Sequence, residues 1–110
     1  LTKRVYVVEG PIDSLFLDNC LAVAGADFNN LQKEDTTIVL DNEPRNKEIV
    51  RRMENLIDTD YELVIWPDSI QQKDINDMTL AGIEGIQTII DNNTFSGLQA
   101  KMRLSAWKRI

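Results

Sequence analysis

The sequence predicts an α/β fold: a mostly parallel four-stranded sheet with helices on both faces. Three observations predict it. Short apolar, β-branched runs recur without polar alternation, each run ends in a turn, and segments with helical spacing fill the gaps between them. Strands that alternate with helices need crossover connections, which are right-handed and leave the strands parallel. In such sheets the ligand crevice lies beyond the carboxyl ends of the strands.

The elements follow in order. Val5-Tyr6-Val7-Val8 has the unbroken apolar character of a strand covered on both faces and ends at Glu9-Gly10. Pro11 suits the first position of a helix, whose face Ile12, Leu15 and Phe16 mark up to about Asn19. Residues 21–24 form a second strand ending at Gly25, and residues 36–40 a third that runs directly into Asp41. Pro44 again suits a helix start, and Ile49, Val50, Met53, Leu56 and Ile57 recur at helical spacing opposite Arg51, Arg52 and Glu54. Residues 62–66 give the fourth strand, closed by Pro67-Asp68 and followed by a polar loop through Gln71, Gln72 and Lys73. Asp74 is placed to cap a short helix over residues 75–80, with Asp77 at the reciprocal position. A further helix covers residues 83–90, and Thr94 is expected to cap a last one carrying Phe95, Leu98, Met102 and Ala106.

A chain of 110 residues fits one domain, residues 1–110, and its 43% hydrophobic and 27% charged composition is that of a globular protein with a modest core. It begins at Leu1 without a methionine, so a fragment of a longer protein is expected, with partner domains missing. Apolar stretches fall far short of the roughly 20 residues of a membrane helix, and a cytoplasmic location is expected. The one cysteine, Cys20, excludes an internal disulfide, and the absence of histidine excludes a Cys/His zinc site. Cys20, Trp66, Tyr6 and Tyr61 read as structural residues, whereas Trp107, in a basic tail, has two readings: docking the last helix, which is favoured, or stacking on a base.

The net charge of −6 argues against general affinity for a phosphate backbone. Its distribution is uneven, because Lys3, Arg4, Lys101, Arg103, Lys108 and Arg109 are half of the 12 basic residues and all lie near the ends. The acidic middle suits divalent cations. Glu9 ends the first strand, Asp41 and Glu43 follow the third, and Asp68 and Asp74 follow the fourth, so these carboxylates are expected along one edge of the sheet. Oxygen-only ligands favour Mg²⁺ or Mn²⁺. Pro44 biases Glu43 toward an extended backbone, in which Asp41 and Glu43 would face the same way. Each acid alone also has a structural explanation: Asp13 and Glu43 lie near helix starts, Asp74 is a helix cap, and Asp68 follows a proline turn.

The words Val7-Val8-Glu9-Gly10-Pro11-Ile12-Asp13, Val39-Leu40-Asp41-Asn42-Glu43 and Trp66-Pro67-Asp68, followed by Lys73-Asp74-Ile75-Asn76-Asp77, resemble the Toprim domain in order and spacing. That family is shared by primases, topoisomerases, nucleases and recombination mediators. Its second motif is Asp-x-Asp, and here the second acid is Glu43, which keeps the carboxylate and lengthens its reach. The first and last words look particularly like primases, and the whole chain is similar to primases of the T-even phage type.

The resemblance implies a Rossmann-like Toprim fold and metal-dependent synthesis of RNA primers from nucleoside triphosphates (NTPs) on single-stranded DNA, as part of a longer primase. It implies that Asp41 and Glu43 hold Mg²⁺ (or Mn²⁺), and that Glu9 joins them or acts as general acid/base. Asp13 and Asp74 match further acidic positions of the metal site, and Lys73 matches a residue that approaches a phosphate. A replicative helicase is the implied partner and, for a phage protein, the host cytoplasm the implied location. Two other readings belong to the same family: a nuclease or topoisomerase fragment, and a non-catalytic interaction module. Retention of Glu9, Asp41 and Glu43 together speaks against the module.

Overall fold

The computed structural model describes residues 5–8, 20–22 and 35–110. The helix expected after Pro11 lies outside the described residues. Four parallel strands, β1 (Val5–Val8), β2 (Cys20–Ala22), β3 (Thr36–Val39) and β4 (Glu62–Val64), form the sheet. A two-residue strand, β5 (Thr94–Phe95), adds to β4 in the antiparallel sense. The spatial order is β2-β1-β3-β4-β5. The expected four parallel strands are therefore present, with one short edge strand more. None of the described helices is long and apolar enough to cross a membrane.

The strands alternate between two cores, as a sheet sandwiched by helices requires. Val7, Ile38 and Leu63 join α1 (Lys47–Asp58) and α4 (Gly97–Trp107) in one apolar layer. Tyr6, Val8, Val39 and Val64 join α2 (Ile75–Leu80) and α3 (Ile86–Asn92) in the other. This double burial is why the strand sequences carry no polar alternation. Tyr6 is the one core residue of β1 with a polar tip, and its hydroxyl donates to Asp91 Oδ1 at 2.5 Å, tying β1 to the end of α3.

The helix expected from Pro44 begins later. Pro44 and Arg45 form a turn, and Asn46 caps α1, its side-chain oxygen accepting from the backbone N–H of Glu48 (3.0 Å) and Ile49 (3.3 Å). A side-chain acceptor for two free amides outweighs the favourable φ of a proline. Replacing Asn46 by Ala should cost about 1 kcal/mol in chemical denaturation, and Asn46→Asp should cost much less. The predicted face of α1 is the buried one, with Ile49, Val50, Met53, Leu56 and Ile57 inside. The helix ends in a Schellman turn. Tyr61 N–H reaches Leu56 O (3.0 Å) and Asp60 N–H reaches Ile57 O (3.1 Å), with Asp60 at φ 66°.

The C-terminal third departs further from expectation. The helix over 83–90 starts only at Ile86, after Gly85 at φ 67°, and runs through Asn92. Thr94 is not a cap: it lies in β5, and its hydroxyl donates to Ile90 O at 2.7 Å, closing α3. The buried face of α4 is Ala100, Leu104 and Trp107, while Leu98 and Met102 are 73% and 67% exposed. Apolar residues lie all round this helix, so spacing alone fits more than one face. The large Trp107 ring decides the matter by docking the helix, at 5% exposure.

Candidate functional site

The sheet changes direction at β1. From it the chain lies outward to β2 on one side and to β3 on the other, so the carboxyl ends of β1 and β3 flank a topological switch point. Val8, the last residue of β1, is level with Val39, the last of β3. Glu9 follows Val8 directly in the chain. Glu9 and Asp13 lie outside the described residues.

Beyond Val39 the backbone is held before it leaves the sheet. Leu40 is buried, and its carbonyl accepts the indole N–H of Trp66 at 3.0 Å. Asp41, Asn42 and Glu43 then form a three-residue turn, closed by Glu43 N–H on Asp41 O at 2.9 Å, in place of the extended run expected before Pro44. Asp41 and Glu43 are both half-buried, and Asn46 Nδ2 lies 3.4 Å from Glu43 Oε2. The two acids therefore sit on one turn at the sheet's carboxyl edge.

Asn42, between them, is 9% exposed, and both ends of its side chain are engaged. Its Nδ2 donates to the carbonyls of Ile70 (2.9 Å) and Gln72 (3.1 Å), and its Oδ1 accepts the indole N–H of Trp107 (3.2 Å). Its backbone N–H donates to Lys73 O at 2.5 Å. The loop after β4 is thus fastened to the turn after β3 immediately before Lys73 and Asp74. Sequence reading passed over Asn42; the available signal was an amide wedged between two acids where a buried strand ends.

Lys73 is exposed and Asp74 half-buried. Asp74 caps α2 as expected, Oδ1 accepting Asp77 N–H at 2.8 Å. Asp68 is a surface residue, 89% exposed at its side chain, with Arg109 Nη2 4.0 Å from its carboxylate, an ion pair of little energetic weight. Arg109 N–H also donates to Pro44 O at 2.8 Å, laying the end of the chain beside the acidic turn. A cleft of about 370 Å³ opens there, between Asn42 and Pro44 on one side and Pro67, Ile70 and Trp107 on the other.

Among the described residues no group of three or more acids is gathered tightly enough to hold an ion. Mg²⁺ asks for less than such a group: it keeps several of its waters and commonly takes only one or two carboxylates together with substrate phosphates.

No protein-family model matches the chain. Over 113 residues it is 42% identical to the DNA primase of Enterobacteria phage T4, an alignment covering 96% of this chain and 33% of that protein. The chain thus spans about a third of the length of the primase it resembles, and the likeness supports a primase-related domain.

Proposed function

We propose that this chain is the catalytic Toprim domain of a DNA primase, making RNA primers from NTPs on single-stranded DNA during replication, in company with a replicative helicase. One observation carries the reading: the Asp41-Asn42-Glu43 turn sits at the β1/β3 switch point, on a chain 42% identical to a primase. The order of the acidic words along the sequence supports it.

In primer synthesis a 3′-hydroxyl attacks the α-phosphate of an NTP and pyrophosphate leaves. Bound Mg²⁺ or Mn²⁺ supplies charge neutralisation at the phosphates and favours ionisation of the attacking hydroxyl. Asp41 and Glu43 would hold the ion. Glu9 would add a ligand or take the hydroxyl proton, and Asp13 and Asp74 would extend the acidic platform. Lys73, exposed on the loop fastened to Asn42, would meet a phosphate. An acidic chain binds an anionic substrate in this way through its cations, which reconciles the net charge of −6 with nucleic-acid chemistry.

The test is a titration of Mg²⁺ and Mn²⁺ followed by NMR at the backbone amides of Glu9, Asp41, Glu43 and Asp74, with and without an NTP. Shifts converging on these four amides, with nucleotide bound only when metal is present, are the expected result. A chain that shows no localised shift at millimolar metal is not a metal-dependent catalytic domain by itself.

A further inference from the structure

We infer that Asn42 is a positioning residue: it locks the Lys73–Asp74 loop onto the Asp41–Glu43 turn, and Trp107 of α4 holds it in place. The inference deepens the proposed metal site and rests on that reading for its purpose, though not for its geometry.

The chemistry at Asn42 leaves one arrangement. Carbonyl oxygens only accept hydrogen bonds and an indole N–H only donates. The amide nitrogen must therefore face Ile70 O and Gln72 O, and the amide oxygen must face Trp107 Nε1. All the hydrogen-bonding atoms of this nearly buried side chain are in use, and the three partners come from two segments distant in sequence. The backbone bond from Asn42 N–H to Lys73 O completes the clamp. Aspartate has the same shape as asparagine but only accepts, so it would turn its oxygens toward two carbonyls and lose both.

A residue that only filled space would matter to packing alone. Asn42 lies between the two candidate ligands, and the loop it grips leads straight to Lys73 and Asp74. Its orientation thus sets the spacing between two groups of charged side chains, and the C-terminal helix contributes through one hydrogen bond.

Trp107→Phe removes that bond and keeps the aromatic ring. In the metal-free chain, hydrogen exchange followed by NMR should show the Asn42 amide, which is bonded to Lys73 O, losing about tenfold in protection. The amides of Lys73 and Asp74 should shift with it. Changes confined to the C-terminal turn of α4 would overturn the inference. In Asn42→Ala, provided its fold is retained, Mn²⁺ affinity read at the Asp41 and Glu43 amides should fall about tenfold, as when the support of a metal ligand is removed. Unchanged affinity in folded Asn42→Ala would also overturn it. If the unsubstituted chain binds no Mn²⁺, the metal reading fails alone, and the metal-free exchange of Trp107→Phe still decides whether Asn42 couples the two loops.

Discussion

On the proposed function, Asp41→Asn is expected to lower metal-dependent primer synthesis by the full-length protein about 100-fold or more, the usual scale for removing one preorganised charge-stabilising group. The substitution keeps size and shape, so the turn closed by Glu43 N–H on Asp41 O, a backbone bond, should survive. What is lost is a charge on a half-buried carboxyl at the carboxyl edge of the sheet. The measurement is incorporation of labelled ribonucleotide on a single-stranded template across a range of Mg²⁺ concentrations, with thermal melting to show that the fold is intact. Partial recovery at high Mg²⁺ would identify the loss as one of metal affinity. An unchanged rate at every concentration would remove Asp41 from the site.

Leu63→Ala should cost about 3–4 kcal/mol of folding stability, within the range for deleting a fully buried leucine. Leu63 is 0% exposed, in a strand that pairs with β3 on one side and β5 on the other. Its side chain belongs to the α1/α4 layer, whereas Val64 next to it belongs to the opposite one. The cavity can be filled from one face only, and the strands on either side resist collapse. A domain of ordinary stability, about 5–15 kcal/mol, would lose a large share of it. Urea denaturation measures the effect, with Leu98→Ala, 73% exposed, as a control that should change stability by less than about 0.5 kcal/mol. A loss below 1 kcal/mol for Leu63→Ala would contradict the packing described.

Strands and helices with one dominant signal were legible in the sequence. Val5-Tyr6-Val7-Val8 reads as a doubly covered strand and is one, and the Ile49 to Ile57 spacing admits one helical face. Ends were harder to read. At Pro44 two start signals compete, proline's fixed φ and the side chain of Asn46, and the stronger hydrogen-bonding one prevails. In α4 the periodicity is ambiguous, and the face is chosen by tertiary docking of Trp107. β5 left no mark, because two residues cannot show a period. At the site, acids at strand ends were visible because topology places them there. The role of Asn42 was not, since it depends on three partners 28, 30 and 65 residues away that only the folded chain assembles.

The shortness of β5 bears on self-association. An unpaired sheet edge is a template onto which a strand of another molecule can add, and long, flat edges invite aggregation. Here the edge beyond β4 offers two residues, and the guanidinium of Arg103 lies 4.8 Å from the ring centre of Phe95, placing a charge over the strand. Too little backbone is presented for a neighbour to register against, and an approaching apolar strand meets a cation. Among the described residues, this side of the sheet therefore offers a neighbouring strand little backbone on which to add.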